Sequence, residues 1–158
     1  MVYTPVASEV VRSLVYTNIS WENLSSARTW PLTNSEYFYD RAITTKFQLS
    51  YRDIMGGGEY VDIGAEEDIT GVEIRLTVQP TSRKPVTVNS YLKDASHVIE
   101  EIKRVVRQNR TNASGYEFIY IPKNGVHNLD VLNDPDVDPP FIERVINIRL
   151  RKYRGELT

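Results

Sequence analysis

The sequence predicts an α+β fold: an antiparallel or mixed β-sheet with a short N-terminal helix and one long helix packed on one face. Three stretches carry that prediction. Ile69 to Gln79 alternates, with Val72, Ile74, Leu76 and Val78 on one side and Glu73, Arg75 and Thr77 on the other. This period of two marks a strand with one core face and one face toward solvent or a partner. Val88 to Asn109 instead repeats Leu92, Ala95, Ile99, Ile102 and Val106 at intervals of three and four, an amphipathic helix. Phe141 to Tyr153 returns to alternation, Ile142, Ile146, Ile148 and Leu150 inward against Glu143, Asn147, Arg149 and Arg151 outward. Every apolar stripe is buried if both helices lie on the same sheet face.

The remaining elements follow in order. Val6 to Tyr16 reads as a short helix with the stripe Val10, Val11, Leu14 and Val15, and with Ser8 and Glu9 in its first turn. Three turns are marginal alone, so it must lie on something larger. Asn18 to Asn34 is polar and reads as an ordered loop anchored by Trp21, Leu24, Trp30 and Pro31. Ile43 to Tyr51 is a strand in which Phe47, Leu49 and Tyr51 alternate with Lys46, Gln48 and Ser50. Met55-Gly56-Gly57-Gly58-Glu59 then predicts a flexible tip, because consecutive glycines resist a regular element. Glu59 to Gly64 reads as a further short strand and Ala65 to Asp68 as an acidic bend. Pro80 and Pro85 lead into the long helix, whose other face carries Lys93, Asp94, Glu100, Lys103, Arg104 and Arg107. Its basic C-terminal half suits the helix dipole. Asn109 to Gly115 stops it, Tyr116 to Pro122 is another strand, and Lys123 to Pro140 a loop. No repeat or low-complexity linker divides the chain, so residues 1–158 read as a single domain, long enough to bury roughly 70% of its unfolded surface.

Composition narrows the chemistry. There is no cysteine, which removes disulfides, thiolate metal sites and a Cys nucleophile. A formal charge of −2 favours neither nucleic acid nor an anionic membrane as a bulk partner. The N-terminus lacks a signal-peptide pattern, and no apolar run approaches the roughly 20 residues of a membrane helix, which predicts a chain that folds in a cytoplasm. The Asn-x-Ser/Thr triplets beginning at Asn18, Asn23, Asn109 and Asn112 then read as coincidence.

No catalytic constellation emerges. His97 and His127 have no ligand-like partner at helical spacing, and Gly56 to Gly58 lacks the Lys-Ser/Thr of a phosphate-cradling loop. The loop Asp130, Asn133, Asp134, Asp136, Asp138 offers oxygens at alternate positions but no glycine and no closing glutamate, so a solvated acidic loop is favoured over a calcium site. The expectation is a protein that is not an enzyme, with no catalytic residue, cofactor or metal. Lys103, Arg104, Arg107, Arg110, Arg149, Arg151, Lys152 and Arg154 admit two readings: a nucleic-acid patch, or charges that neutralise helix ends and pair with Glu100, Glu101 and Glu156. The second is favoured. Tyr37, Phe38, Tyr39, Tyr51, Tyr60 and Tyr91 fall at flexible or boundary segments, where aromatics suit docking.

One further pattern is carried by order. A short helix and a Trp-containing loop precede a strand with a Gly-rich tip and the Val72 to Val78 strand. IEEIKRVVRQNR (Ile99 to Arg110), Tyr116 and Ile119, an Asp-rich loop and FIERVINIRLRKY (Phe141 to Tyr153) follow. Over roughly residues 6 to 156 this resembles the tail-terminator, or tail-completion, family of long-tailed bacterial and archaeal viruses and neighbouring neck proteins. The resemblance implies a structural virion subunit, assembled in a host cytoplasm, that forms a six-fold ring. The ring caps the tail tube and joins it to the head connector, with DNA passing through without sequence-specific contact and no membrane involved. Its implied partners are copies of itself, the tube protein and the connector. Trp21, Trp30, Tyr51, Met55, Gly56, Gly57, Gly58, Tyr60, Arg149, Arg151 and Tyr153 become the expected contact residues. A head–tail adaptor or stopper ring is the nearest alternative, and a nucleic-acid-binding α+β module the alternative of another class.

Overall fold

A computed structural model describes residues 6–20, 47–62, 65–136 and 140–156; for 55–62, 65–68 and 153–156 it describes backbone and pairing only. The alternation in the three long apolar strands produces one antiparallel sheet. Its strands are β1 (Gln48–Asp62), β2 (Ala65–Val78), β3 (Phe118–Tyr120), β4 (Val126–Asn128) and β5 (Ile142–Glu156). The order is β1-β2-β5-β3, and β4 also pairs with β5. The helices are α1 (Ala7–Asn18) and α2 (Pro85–Gln108), so the predicted α+β architecture is the observed one.

The pairing register explains the core. Tyr51, Ile74 and Ile146 lie side by side across β1, β2 and β5, as do Leu49, Leu76 and Arg144 in the next row. Directly opposed residues share a face, so Leu49, Tyr51, Val72, Ile74, Leu76, Val78, Ile142, Ile146, Ile148 and Leu150 build one apolar surface. All are buried, and with α1 and α2 they form one cluster. On α2 the buried stripe is centred on Tyr91, Ala95, Val98, Ile102 and Val105, while Leu92 sits at its flank. Pro85 stands at the start of α2, where its missing N–H costs nothing.

The twelve-residue α1 has no side-chain cap of its own at its N-terminus. The sheet supplies one. Ser8 N–H donates to Asp53 Oδ1 at 2.9 Å and Ser8 Oγ to Oδ2 at 2.7 Å. At the other end Arg104 Nη2 donates to the carbonyl of Asn18 at 2.8 Å, and Arg104 is itself held by Glu101 at 2.7 Å. A carboxylate meets the positive end of the helix and a guanidinium the negative end, the arrangement the macrodipole favours. A helix too short to persist alone is thus clamped at both ends by tertiary partners.

Several expectations are corrected. The glycine run is not a tip. β1 continues through Gly56, Gly57 and Gly58 to Asp62, and β2 begins at Ala65 rather than after an acidic bend. The ladder uses backbone groups, which glycine keeps. A register shift between Ile54 and Gly57 absorbs the irregularity. Tyr51 and Tyr91 are not docking aromatics: Tyr51 is 2% exposed and Tyr91 6%. Phe47 stacks near Tyr91 at 6.0 Å, and burial pushes the Tyr51 phenol well above its ordinary range, an effect the nearby Arg12 charge only partly offsets. The strand expected over Tyr116 to Pro122 shrinks to Phe118–Tyr120, and the loop after it contains β4.

Candidate functional site

The three long strands stay paired well past the rows that carry the described core residues. Among the described residues the core cluster takes β1 up to Tyr51, β2 from Val72 and β5 up to Leu150. Beyond those rows the three strands keep pairing: Ile69 with Gly57 and Arg151, Asp68 with Gly58 and Lys152, and Ala65 with Asp62 and Glu156. At about 3.3 Å per residue the seven residues from Ala65 to Gly71 carry this three-stranded arm about 20 Å past the core. At its base Arg52, Asp53 and Ile54 are exposed, while Ile69, Thr70, Gly71, Arg151 and Lys152 are half-buried. Gly71 permits a close approach there, since a Cβ on it would stand 3.2 Å from Ile54 Cβ.

The second sheet face differs from its expectation near the core. Ser50, Glu73, Thr77 and Glu143 are buried, with Glu73 at 8% and Glu143 at 6% exposure. Burial of carboxylates demands partners, and arginines supply them. Arg75 reaches Glu143 Oε1 at 2.6 Å and Glu73 Oε1 at 3.3 Å. Arg52, directly opposite Glu73, places Nη2 2.9 Å from Oε2, off the line of a hydrogen bond, so this contact is one of charge. Two acids and two arginines alternate across β1, β2 and β5. Their charges cancel, and the outward residues of the sequence pattern become a cross-strand lock.

Toward β3 the face turns basic and aromatic. Arg149 lies opposite Tyr120 and Arg151 opposite Phe118. The Arg151 guanidinium carbon stands 5.0 Å from the centre of the Phe118 ring, a cation–π contact, and the Phe118 and Tyr120 rings are 5.6 Å apart. Arg149 is exposed. On the helix side of β3, a cleft of about 180 Å³ is lined by Lys103, Val106, Arg107, Arg110, Tyr120 and Ile121.

The expected contact residues therefore separate. Met55, Gly56, Gly57, Gly58, Tyr60 and Tyr153 all fall on strands of the arm, and Arg149 and Arg151 at its junction with the body. Tyr51 lies in the core. Trp21 and Trp30 lie outside the described residues, as do Tyr37, Phe38 and Tyr39. Sequence reasoning missed Asp53, Arg52 and Glu73 as connecting residues, because their partners lie on other elements.

The acidic loop is tied to β5. Asp130 Oδ1 accepts Glu143 N–H at 3.0 Å and Oδ2 accepts from Arg144 at 3.1 Å, while Arg144 also reaches Ser96 at 3.1 Å. Asp134 turns onto the N–H of Asp136 at 2.9 Å. Among the described residues no three His, Cys, Asp or Glu side chains converge. His97 is half-buried on α2, and His127 is exposed on β4.

Compared with known protein families and with curated proteins, the chain matches none.

Proposed function

We propose that this chain is a structural ring subunit, a tail terminator that caps the tail tube of a long-tailed virus and joins it to the head connector. The arm is the observation that carries the reading. A strand ladder continued about 20 Å beyond Val72 holds none of the core cluster among its described residues on β1 and β2. What it does add is a length of paired strand on which a neighbour can dock. The sheet also has two unlike flanks, the fifteen-residue β1 on one side and the short β3 and β4 on the other. A closed rotational ring needs two different surfaces on each subunit, and an arm and flank of this kind supply them. DNA passes through such a ring without being read.

The test is negative-stain imaging of the purified protein, alone and with tube protein. Rings, or tubes that stop at a capped end, are expected. A persistent monomer indifferent to tube protein would overturn the proposal. Binding to connector but not to tube ends would instead assign the protein to the adaptor or stopper rings. A second variant isolates the arm: Gly57 is joined to Ile69 through an Asn-Gly turn, which preserves the register of the remaining pairs. It should fold with unchanged thermal stability within a few degrees and fail to form rings. Rings that assemble normally would show that the arm is not the contact.

A further inference from the structure

The basic residues at the C-terminal end of α2 and just past it divide into two sets. Lys103 and Arg104 pair with Glu100 and Glu101 three positions earlier, at 3.0 and 2.7 Å. Arg107 and Arg110 do not follow them. Both are exposed, and their side chains make no hydrogen bond or ion pair among the described residues. Nor do they cap the helix. The closing carbonyls are taken by Asn109, whose backbone N–H bonds to Val105 and Val106 at 3.1 and 3.3 Å and whose Nδ2 bonds to Val105 at 2.8 Å. Among the described residues, neither guanidinium is held by a carbonyl or a carboxylate.

Their position is nevertheless set. The carbonyl of Arg110 accepts the N–H of Ile119 at 2.8 Å, pinning the exit of α2 against the outer edge of β3. Lys103 and Arg107 stand at i and i+4 on α2 and Arg110 two residues past its end, and all three line the cleft of about 180 Å³ with Tyr120 and Ile121. Among the described residues no acid lines it. The nearest acid bound to this set is Glu100, on Lys103, and it is 65% exposed.

We infer that this cleft binds phosphate groups, and that its ligand is the backbone of a nucleic-acid strand. Lys103 and Arg107 stand about 6 Å apart along α2, and Arg110 extends the set past the helix end. At roughly 3.4 Å of rise per phosphate in one strand, three such cations face on the order of three successive phosphates. A lone anion would meet one or two of them. Guanidinium groups engage phosphate oxygens in a planar fork. Among the described residues the lining holds no Asn, Gln, Asp or Glu to read a base edge, and its cations suit the repeating phosphates, so the binding is sequence-independent. The inference concerns the isolated subunit and stands whether or not the ring forms.

Fluorescence anisotropy with labelled single-stranded and duplex oligonucleotides of mixed sequence, across a salt series, tests this. Wild-type protein should bind at low salt with a log–log slope of about −2 to −3. The double variant R107E/R110E should lose at least ~tenfold in affinity, and its slope should shrink by about 2. A matched control, K84E/K93E, makes the same change in net charge at exposed positions at the other end of α2 and should bind within twofold of wild type. Pyrophosphate should compete and shift the amide resonances of Ile119 and Tyr120. Absence of binding in 50 mM salt would overturn the inference, as would equal losses in both double variants. Binding of pyrophosphate without the oligonucleotides would overturn the assignment to a nucleic-acid strand.

Discussion

The two ends of the sheet are made of the same three strands and behave differently. In the rows from Leu49 to Val72 aliphatic side chains lie buried beneath the helices on one face, and on the other Glu73 and Glu143 are buried in a lock with Arg75 and the more exposed Arg52. Beyond the Thr70–Leu150 pair, the described Ile69, Arg151 and Lys152 stay outside the core cluster while the ladder continues. Pairing alone therefore does not distinguish a core strand from an arm. What differs is the number of faces withdrawn from water, and with it the free energy at stake in any one side chain. Stability belongs to one end of the sheet, and the proposed assembly role to the other.

The largest break in that comparison is Leu76→Ala, in the middle of the body and 1% exposed. It should cost about 2–5 kcal/mol in a denaturant titration, whereas Ile54→Ala at the base of the arm should stay within about 0.5 kcal/mol. Similar losses at the two positions would erase the distinction. Next comes Gly125→Ala. Its Cβ would stand 2.9 Å from the Pro122 carbonyl oxygen and 3.1 Å from that of Asn147, both backbone atoms, next to Asn124 at φ 61°. The turn that brings β4 onto β5 must shift, at a cost of about 1–3 kcal/mol. Protection of the Asn147 amide, which donates to Gly125 at 2.7 Å, should fall in hydrogen exchange.

Asp53→Ala tests where the body ends, since Asp53 lies on β1 beyond the last core tyrosine yet caps α1. A loss of about 0.5–2 kcal/mol, accompanied by fraying of the α1 amides, is expected. A neutral result would move Asp53 to the arm.

The smallest effect is at the opposite end of α1. The hydrogen bond from Arg104 holds the Glu101 carboxyl below its ordinary range, with the Ser20 amide assisting and burial opposing. A depressed carboxylate contributes stability above the ordinary carboxylate range and loses it as pH falls through the folded value. Glu101→Gln should therefore cost only about 0.3–0.5 kcal/mol at neutral pH, a cost that disappears on acidification. A difference that grew toward low pH would contradict the assignment.

Legibility followed the range of the interaction. The alternation of Val72 to Val78 and of Ile142 to Leu150, and the helical stripe of α2, stand out because their signals repeat every few residues. Two misreadings came from judging a segment without its partner. Three glycines look like a tip by intrinsic freedom, but β2 offers them a ladder that needs no side chains. Tyr51 looks like a boundary aromatic beside that supposed tip, yet the strand passes through it and its parity turns the ring inward. Lys103, Arg104, Arg107 and Arg110 look alike in sequence, yet only the first two meet acidic partners among the described residues.

The chain alone determined the periods, and hence which elements exist and which of their faces are apolar, because a period is a property of neighbours in sequence. Tertiary structure decided the rest. It set how far the strands stay paired past the described core rows, made outward carboxylates into a buried lock, and brought Asp53 to the end of a helix 45 residues away. Those outcomes depend on strand register and on contacts between distant segments, whose free energies no local pattern encodes.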